Sequence, residues 1–249
     1  MRIGALLGIS SGDNPDDIVD QARRYEAEGY DSIWTAHAMG RGFMLTDPFV
    51  ALAAVAAVTQ RVEIGTAILQ LPIYNSTDIA LKALSVQQLA GGRLCLGVGA
   101  GSTEVDYKIH HEDYSSRFLS FETKLDELRQ IFNTGAVDEQ ELSPWPSVRG
   151  GVPLFFGTWG KNVFRAATEF DGWIASGMHR TPEQCADAIV GYRNAGGSRA
   201  IVSTIRVDGA TDLGEFKTLL QGYREAGFDD AVVMLMPGAP EPSKIVRLL

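Results

Sequence analysis

Short, nearly unbroken apolar runs recur along the chain, separated by longer stretches in which apolar residues return every three or four positions. The runs are IGALLGI (3–9), SIWTA (32–36), VEIGTAIL (62–69), RLCLGVG (93–99), PLFFG (153–157), GWIAS (172–176), AIVSTIRV (200–207) and DAVVMLM (230–236). A strand with one face in water alternates apolar and polar residues, whereas runs this continuous suit parallel strands covered on both faces. The stretches between them carry helix punctuation. Asn14-Pro15 starts a helix with Ile18, Ala22 and Tyr25 on one stripe and Gly29 as its stop; Asp47-Pro48 repeats the device before FVALAAVAAVT. Thr181-Pro182-Glu183-Gln184 reads as a capping box with proline at the first helical position. Further helices fit 77–90, 119–133, 161–169 and 212–226, with a short one near 241–249. Eight strand-then-helix units in 249 residues predict an α/β fold, a (β/α)8 TIM barrel forming one domain over 1–249. An open doubly wound sheet is the alternative, and it ordinarily needs fewer units at this length.

A barrel of this kind carries its function on the loops after the C-terminal ends of the strands. The residues just past the runs are Ser10 and Ser11, His37, Gln70, the turn Gly99 to Thr103, Thr158 to Asn162, Gly177 to Arg180, Arg206 and Met236. His37 and His179 can give or take a proton. The set lacks a carboxylate pair, a G-x-S-x-G elbow and ligands at metal spacing, so no metal site and no hydrolytic machinery is expected. A cup of glycines, hydroxyls and aromatics with few catalytic groups suits an enzyme whose cofactor carries the hard chemistry.

Charge narrows the partners. A formal net charge of −9 without any run of Lys or Arg argues against nucleic-acid and anionic-membrane surfaces and for small-molecule substrates. No stretch approaches the ~20 apolar residues of a membrane span, and the start MRIGALLGIS reads as a strand and not as a signal peptide, so a cytoplasmic protein is expected. Cys95 and Cys185 read as small buried side chains.

Two stretches invite a ligand. In LAGGRLCLGVGAGST (89–103) a strand ends in Gly97, Gly99 and Gly101. The spacing is G-x-G-x-G, some 90 residues into the chain, so it fails as a dinucleotide fingerprint. Close backbone approach of a ligand and a tight turn without one both remain open. In GTWGKN (157–162) the Thr158 hydroxyl, the Lys161 ammonium and free N–H groups at a helix start suit a phosphate; the alternative is a capped helix with an exposed lysine. Likewise His37 reads either as a proton carrier or as a histidine satisfied by a backbone carbonyl. Trp34 reads as barrel packing, and Arg117 and Glu122 as a pair across a helix start.

The run DPFVALAAVAAVTQRVEIGTAILQLPIYNSTDIALKALSVQQLAGGRLCLGVGAG strongly resembles the luciferase-like monooxygenases, the barrel enzymes that include bacterial luciferase and the F420-dependent reductases. EGYDSIW (28–34), Arg117 with Glu122, EFDGWIASG (169–177) and YREAGFDDAVVM (223–234) extend the likeness over nearly the whole chain. The resemblance implies a (β/α)8 barrel and a flavoprotein oxidoreductase, reduced FMN meeting O2 beside a small organic substrate. The deazaflavin F420, passing hydride directly, is the alternative cofactor, and a flavin-binding protein without turnover the alternative class. The resemblance places the isoalloxazine against His37, the strand end Thr66 to Leu69, with Thr66 and Ala67 as the candidate contacts, and the turn Gly99, Ala100, Gly101 and Ser102. It places the phosphate near Gly157, Thr158, Trp159, Gly160, Lys161 and Asn162 and near the glycine turn, with His37 as catalytic residue and Met178 and His179 on the substrate side. Family members often carry an acidic residue and then His at the third and fourth positions after the Trp; here those positions are His37 and Ala38. A polyglutamate tail on F420 prefers a basic rim, which the net charge of −9 does not favour, so FMN is expected. A separate flavin reductase is a further implied partner. The helix 48–59, apolar or small on nearly every face, predicts a homodimer, in agreement with where the family commonly dimerises.

Overall fold

The computed structural model describes residues 1–7, 18–40 and 42–249. Along the chain lie β1 (Arg2–Leu6), α1 (Ile18–Glu28), β2 (Ser32–Thr35), α2 (Pro48–Val58), β3 (Glu63–Gln70), α3 (Ser76–Ala90), β4 (Leu94–Gly99), α4 (Glu104–Ile109) and α5 (Arg117–Thr134). Then follow β5 (Ala136–Val137), β6 (Gln140–Glu141), β7 (Leu154–Gly157), α6 (Val163–Glu169), β8 (Gly172–Ser176), α7 (Pro182–Asn194), β9 (Ala200–Val207), α8 (Leu213–Ala226), β10 (Asp230–Leu235) and α9 (Pro242–Val246). Eight strands pair in parallel and close in the order β1-β2-β3-β4-β7-β8-β9-β10, while β5 and β6 form a separate antiparallel hairpin. The fold is a (β/α)8 barrel, and all eight strands are those the apolar runs predict. Ser10, Ser11, Asn14 and Pro15 lie outside the described residues. The short α4 and the β5–β6 hairpin are unpredicted, because elements this short show no period.

Two apolar layers explain the continuous runs. Ile3, Ile33, Ile64, Leu96, Phe156, Trp173, Val202 and Val233 point outward into the helix–strand layer, whereas Leu6, Trp34, Ala67, Cys95, Phe155, Ile174, Ile201, Val232 and Met234 fill the barrel interior. Trp34 is 0% exposed and packs where Gly4 and Gly65 carry no side chain; a Cβ on Gly65 would sit 2.6 Å from its ring. The indole N–H donates to Ser32 Oγ at 2.8 Å, so Trp34 is core packing, as expected. Both cysteines are buried and free. Burial pushes the Cys185 thiol up to about 11 and Cys95 higher still, which keeps both protonated and unreactive at neutral pH.

Helix starts follow the predicted punctuation. Asp47 accepts from the N–H groups of Phe49 and Val50 ahead of α2, and Thr181 with Gln184 completes a reciprocal capping box on α7. The N-terminal end of the barrel is closed by charge. Arg199 forks onto Glu63 at 2.7 and 2.9 Å and onto Asp230 at 2.8 and 3.0 Å, and Arg2 lies 3.3 Å from the same buried Asp230. Burial alone would lower the Arg199 pKa, and the carboxylates more than offset it, so the guanidinium stays charged. Among the described residues no helix is long and apolar enough to cross a membrane.

Candidate functional site

The opposite, C-terminal end of the barrel is lined by strand ends, and the inner cluster there includes Ala67, Ile68 and Ile174. The ladder between β3 and β4 shifts between Thr66 and Leu69, so Ala67 and Ile68 both join the inner cluster. The Ala67–Ile68 peptide is cis. Thr66 is fully buried and donates to Gly97 O at 2.7 Å, tying β3 to β4. Ile68 spreads over the neighbouring strands: a Cβ on Gly99 or on Gly157 would collide with it. Gly101, at φ +76°, leaves room for the Gln70 amide in the same way. The space that the glycines leave is therefore filled by Ile68 and Gln70, and Ile68 is the part-exposed surface above them.

Two tyrosines fix the glycine turn. Tyr107 donates to Ala100 O, and Tyr114 to Ser102 O at 2.9 Å, while Arg117 stacks 3.9 Å over the Tyr114 ring and donates to Tyr114 O. Arg117 and Glu122 are thus not the pair expected. Glu122 accepts from Arg165 at 2.7 and 2.9 Å, joining α5 to α6. Five residues along a helix put two side chains on different faces, and the partner that meets Glu122 lies 43 positions away.

His37 begins the loop after β2, its N–H donating to Ile68 O at 3.2 Å. Its ring packs 5.3 Å from Tyr74 and 5.5 Å from His110, and His110 Nε2 lies 3.1 Å from Met39 Sδ. Burial, with a smaller contribution from Asp47, raises the Tyr74 pKa, so its hydroxyl stays protonated. Beneath this cluster Gln70 Nε2 donates to Asp106 Oδ2 at 2.7 Å and to His37 O at 3.1 Å. Asp106 is fully buried and also accepts from Met39 N–H at 2.8 Å. Tyr74, Asp106 and His110 are not legible in the sequence, whereas Ile68 lies within the stretch Thr66 to Leu69 that the resemblance assigns to the ring. A polar Gln70 closing an apolar strand was the one local signal for them.

After β7 the chain makes a 3₁₀ turn at Gly160–Asn162 that runs straight into α6. Thr158 O accepts from Trp173 Nε1 at 3.0 Å, and Arg180 lies 4.7 Å over the Trp159 ring. Gly160, at φ +66°, has open space on its Cβ side, and Lys161 is exposed. Lys161 thus stands at the surface beside the start of α6, whose first N–H group, that of Val163, donates to Gly160 O. Met178 and His179 stand exposed in the loop after β8, on a different part of the rim from His37.

The family model described as luciferase-like monooxygenase matches residues 1–207. The chain belongs to this family. A putative coenzyme F420-dependent oxidoreductase of Mycobacterium tuberculosis is 27% identical to this luciferase-like chain over 196 residues, covering 70% of it and 55% of that protein. The 4-hydroxyprotoasukamycin monooxygenase of Streptomyces nodosus subsp. asukaensis is 36% identical over 80 residues, 31% of this chain and 21% of that one. The chain therefore spans about half, or less, of the length of these curated relatives. Among solved structures, a monooxygenase from Streptomyces bottropensis superposes with a TM-score of 0.81 at 16% identity, covering 100% of this chain and 97% of that one. An F420-dependent secondary alcohol dehydrogenase in complex with an F420–acetone adduct gives 0.81 at 18% identity, covering 100% and 98%. At these identities the superpositions establish the barrel fold.

Proposed function

We propose that the protein is an oxidoreductase that holds a flavin-type cofactor at the C-terminal mouth and acts on a small organic substrate, with reduced FMN and O2 as co-reactants. The observation that carries this reading is the division of the mouth into an apolar shelf, Ala67 and Ile68 over Gly99 and Gly157, and a polar flank with exposed Lys161 at the start of α6. A flat tricyclic ring with an anionic tail needs such a pairing of surfaces. Ala67, Ile68 and the turn Gly99 to Ser102 would hold the ring; Thr158 to Asn162, with Lys161 as the cation, would hold the phosphate. When bound, the cofactor supplies the two-electron chemistry.

The chain's own residues have narrower tasks. Ile68 and the inner cluster exclude water from one side of the site. The loop bearing His37, clamped by Asp106 and Gln70, presents an imidazole that can hold or pass a proton, with Tyr74 and His110 packed against it. Met178 and His179, exposed on the rim, are assigned to the substrate side. A separate reductase would supply reduced FMN.

Use of F420 is a second reading, favoured by the description of the Mycobacterium tuberculosis relative. Among the described residues the cations of the rim argue for the smaller anion: Lys161 is exposed, whereas Arg206 is paired with Asp208 at 3.0 Å and Arg180 covers Trp159. A homodimer through α2 and α3 belongs to the same proposal, since Val50, Leu81 and Leu89 expose apolar surface on these adjacent helices. Incubating the purified protein with reduced FMN or reduced F420, with and without O2, tests the assignment. Faster consumption of reduced FMN that depends on both O2 and protein supports it. Protein-dependent hydride exchange confined to F420 would replace it with the second reading.

A further inference from the structure

On β9 the barrel breaks its own alternation. Ile201 faces the interior and Val202 the outer layer, so Ser203 faces inward, paired across the ladder with Ser176 of β8 just above the inner pair Ile174 and Ile201. A regular strand would then turn Thr204 outward. Instead β10 advances two residues, from Ala231 to Val233, while β9 advances three, from Val202 to Ile205, and Thr204 takes φ +61°. Ile205 points outward again, and Thr204 Oγ1 lies 3.3 Å from Ser203 Oγ, so two consecutive hydroxyls share the inner face. Ser203 is buried and donates to Ala175 O at 3.3 Å; Thr204 is the part-exposed member, and its hydroxyl can accept or, by rotation, donate. A β-branched residue at positive φ is an outlier that its surroundings must hold in place, and bulges at barrel rims re-aim side chains.

We propose that Ser203 and Thr204 are the polar contact for the substrate, with Thr204 hydrogen-bonding a neutral carbonyl or hydroxyl oxygen carried on an otherwise apolar small molecule. The closed barrel sets β9 four strands from β3 in either direction, so the hydroxyl pair stands across the mouth from the shelf of Ala67 and Ile68. A ring held on that shelf leaves the β9 wall to the molecule it reacts with. On the neighbouring β10 and just past it, Met234 and Met236 pack with the inner apolar cluster, and unbranched thioether side chains adapt to an irregular hydrocarbon body. Arg206, further along β9, is exposed and paired with Asp208 at 3.0 Å, so this wall favours a neutral oxygen over an anion. That the bound molecule is the substrate rests on the flavin reading above; the oxygen contact itself does not.

The test is a titration of the full chain, its methionine methyl groups labelled with 13C, with cyclohexanone, in the absence and in the presence of saturating oxidised FMN. Signals lost in Met234→Leu and Met236→Leu identify the two residues. Saturable shifts of both are expected. Thr204→Val, which keeps the branched shape and deletes the hydroxyl, should weaken the apparent affinity about fivefold, as the loss of one neutral hydrogen bond does. No saturable shift in either state, or an unchanged affinity in Thr204→Val, overturns the proposal. Ketone shifts that disappear when FMN saturates the protein would give the pair to the cofactor and overturn it equally. Thr204→Gly, which removes the strain together with the hydroxyl, is expected to melt no lower than the wild type and to bind the ketone as weakly as Thr204→Val; a markedly lower melting temperature would show that the hydroxyl serves the fold, against the proposal. The same variant carries the binding comparison should Thr204→Val not fold. Failure of FMN to bind would contradict the flavin reading and leave the ketone result standing.

Discussion

Ile68 occupies the space that a side chain on Gly99 would need, and the carbonyl oxygen of Gly157 closes the same space from the other side, 2.9 Å from where a Cβ would stand. Three strands, β3, β4 and β7, are thereby locked together at the mouth. Gly99→Ala is expected to destabilise the protein by about 1–3 kcal/mol, as overpacking of a filled core does. In an Ile68→Ala background the same substitution should cost at least about 0.5 kcal/mol less, because the two sites share the space. Urea unfolding of the four proteins measures this; strictly additive effects would show that Ile68 is not what Gly99 accommodates.

Arg199 joins β3 and β10 through Glu63 and Asp230 at the closed end of the barrel. Arg199→Met removes the larger share of the positive charge from two carboxylates, one of them fully buried, and leaves Arg2 at 3.3 and 3.7 Å as their cation. Breaking a buried pair from one side costs about 3–5 kcal/mol, and urea unfolding should show a loss of that size. Arg23→Ala, which removes an exposed pair with Asp20 at 3.3 Å, should change little.

Glu26 on α1 accepts from the N–H groups of Gln60, Arg61 and Val62, fixing the approach to β3. Burial alone would raise its pKa, and the three hydrogen bonds outweigh burial and hold it below the ordinary value. A depressed carboxylate contributes stability that is fully present above its unfolded pKa, about 4.3, and is lost as pH falls through the folded value. Glu26→Gln should therefore flatten the fall in stability on acidification below about pH 4.5. Thermal melts from pH 7 to pH 3 check this, and parallel curves for the two proteins would exclude it.

The helix α2 buries Phe49, Leu52 and Val55 and leaves Val50 exposed, beside Leu81 and Leu89 on α3. A dimer through this surface is expected to sediment at twice 26.9 kDa at micromolar concentration. Ala54→Glu, placing a charge on the half-buried outer side of α2, should shift the protein towards monomer. A wild-type protein that stays monomeric at that concentration defeats the prediction.

What the sequence made legible follows from what each contact needs. Ile64, Leu96 and Val202 announce buried strands because both faces of a parallel barrel are covered, so the signal is local. Asp47-Pro48 and Thr181 to Gln184 announce helix starts for the same reason: the hydrogen bonds involved span two or three residues. Contacts of long separation leave no such mark. Gly99 reads as room for a ligand until Ile68, 31 residues earlier, is seen to fill it. Glu122 finds Arg165, not Arg117, and Gln70 finds Asp106 on a helix too short to show periodicity.

The central claim, a flavin-type cofactor at the mouth, is tested most directly by titrating the purified protein with FMN and with F420 under anaerobic conditions and following the visible spectrum and fluorescence of each. Saturable binding of FMN is predicted, about tenfold weaker in Lys161→Ala, with an unchanged melting temperature, since losing a charged hydrogen bond to phosphate costs roughly 1.5 kcal/mol. Binding of neither cofactor by the folded protein would contradict the account.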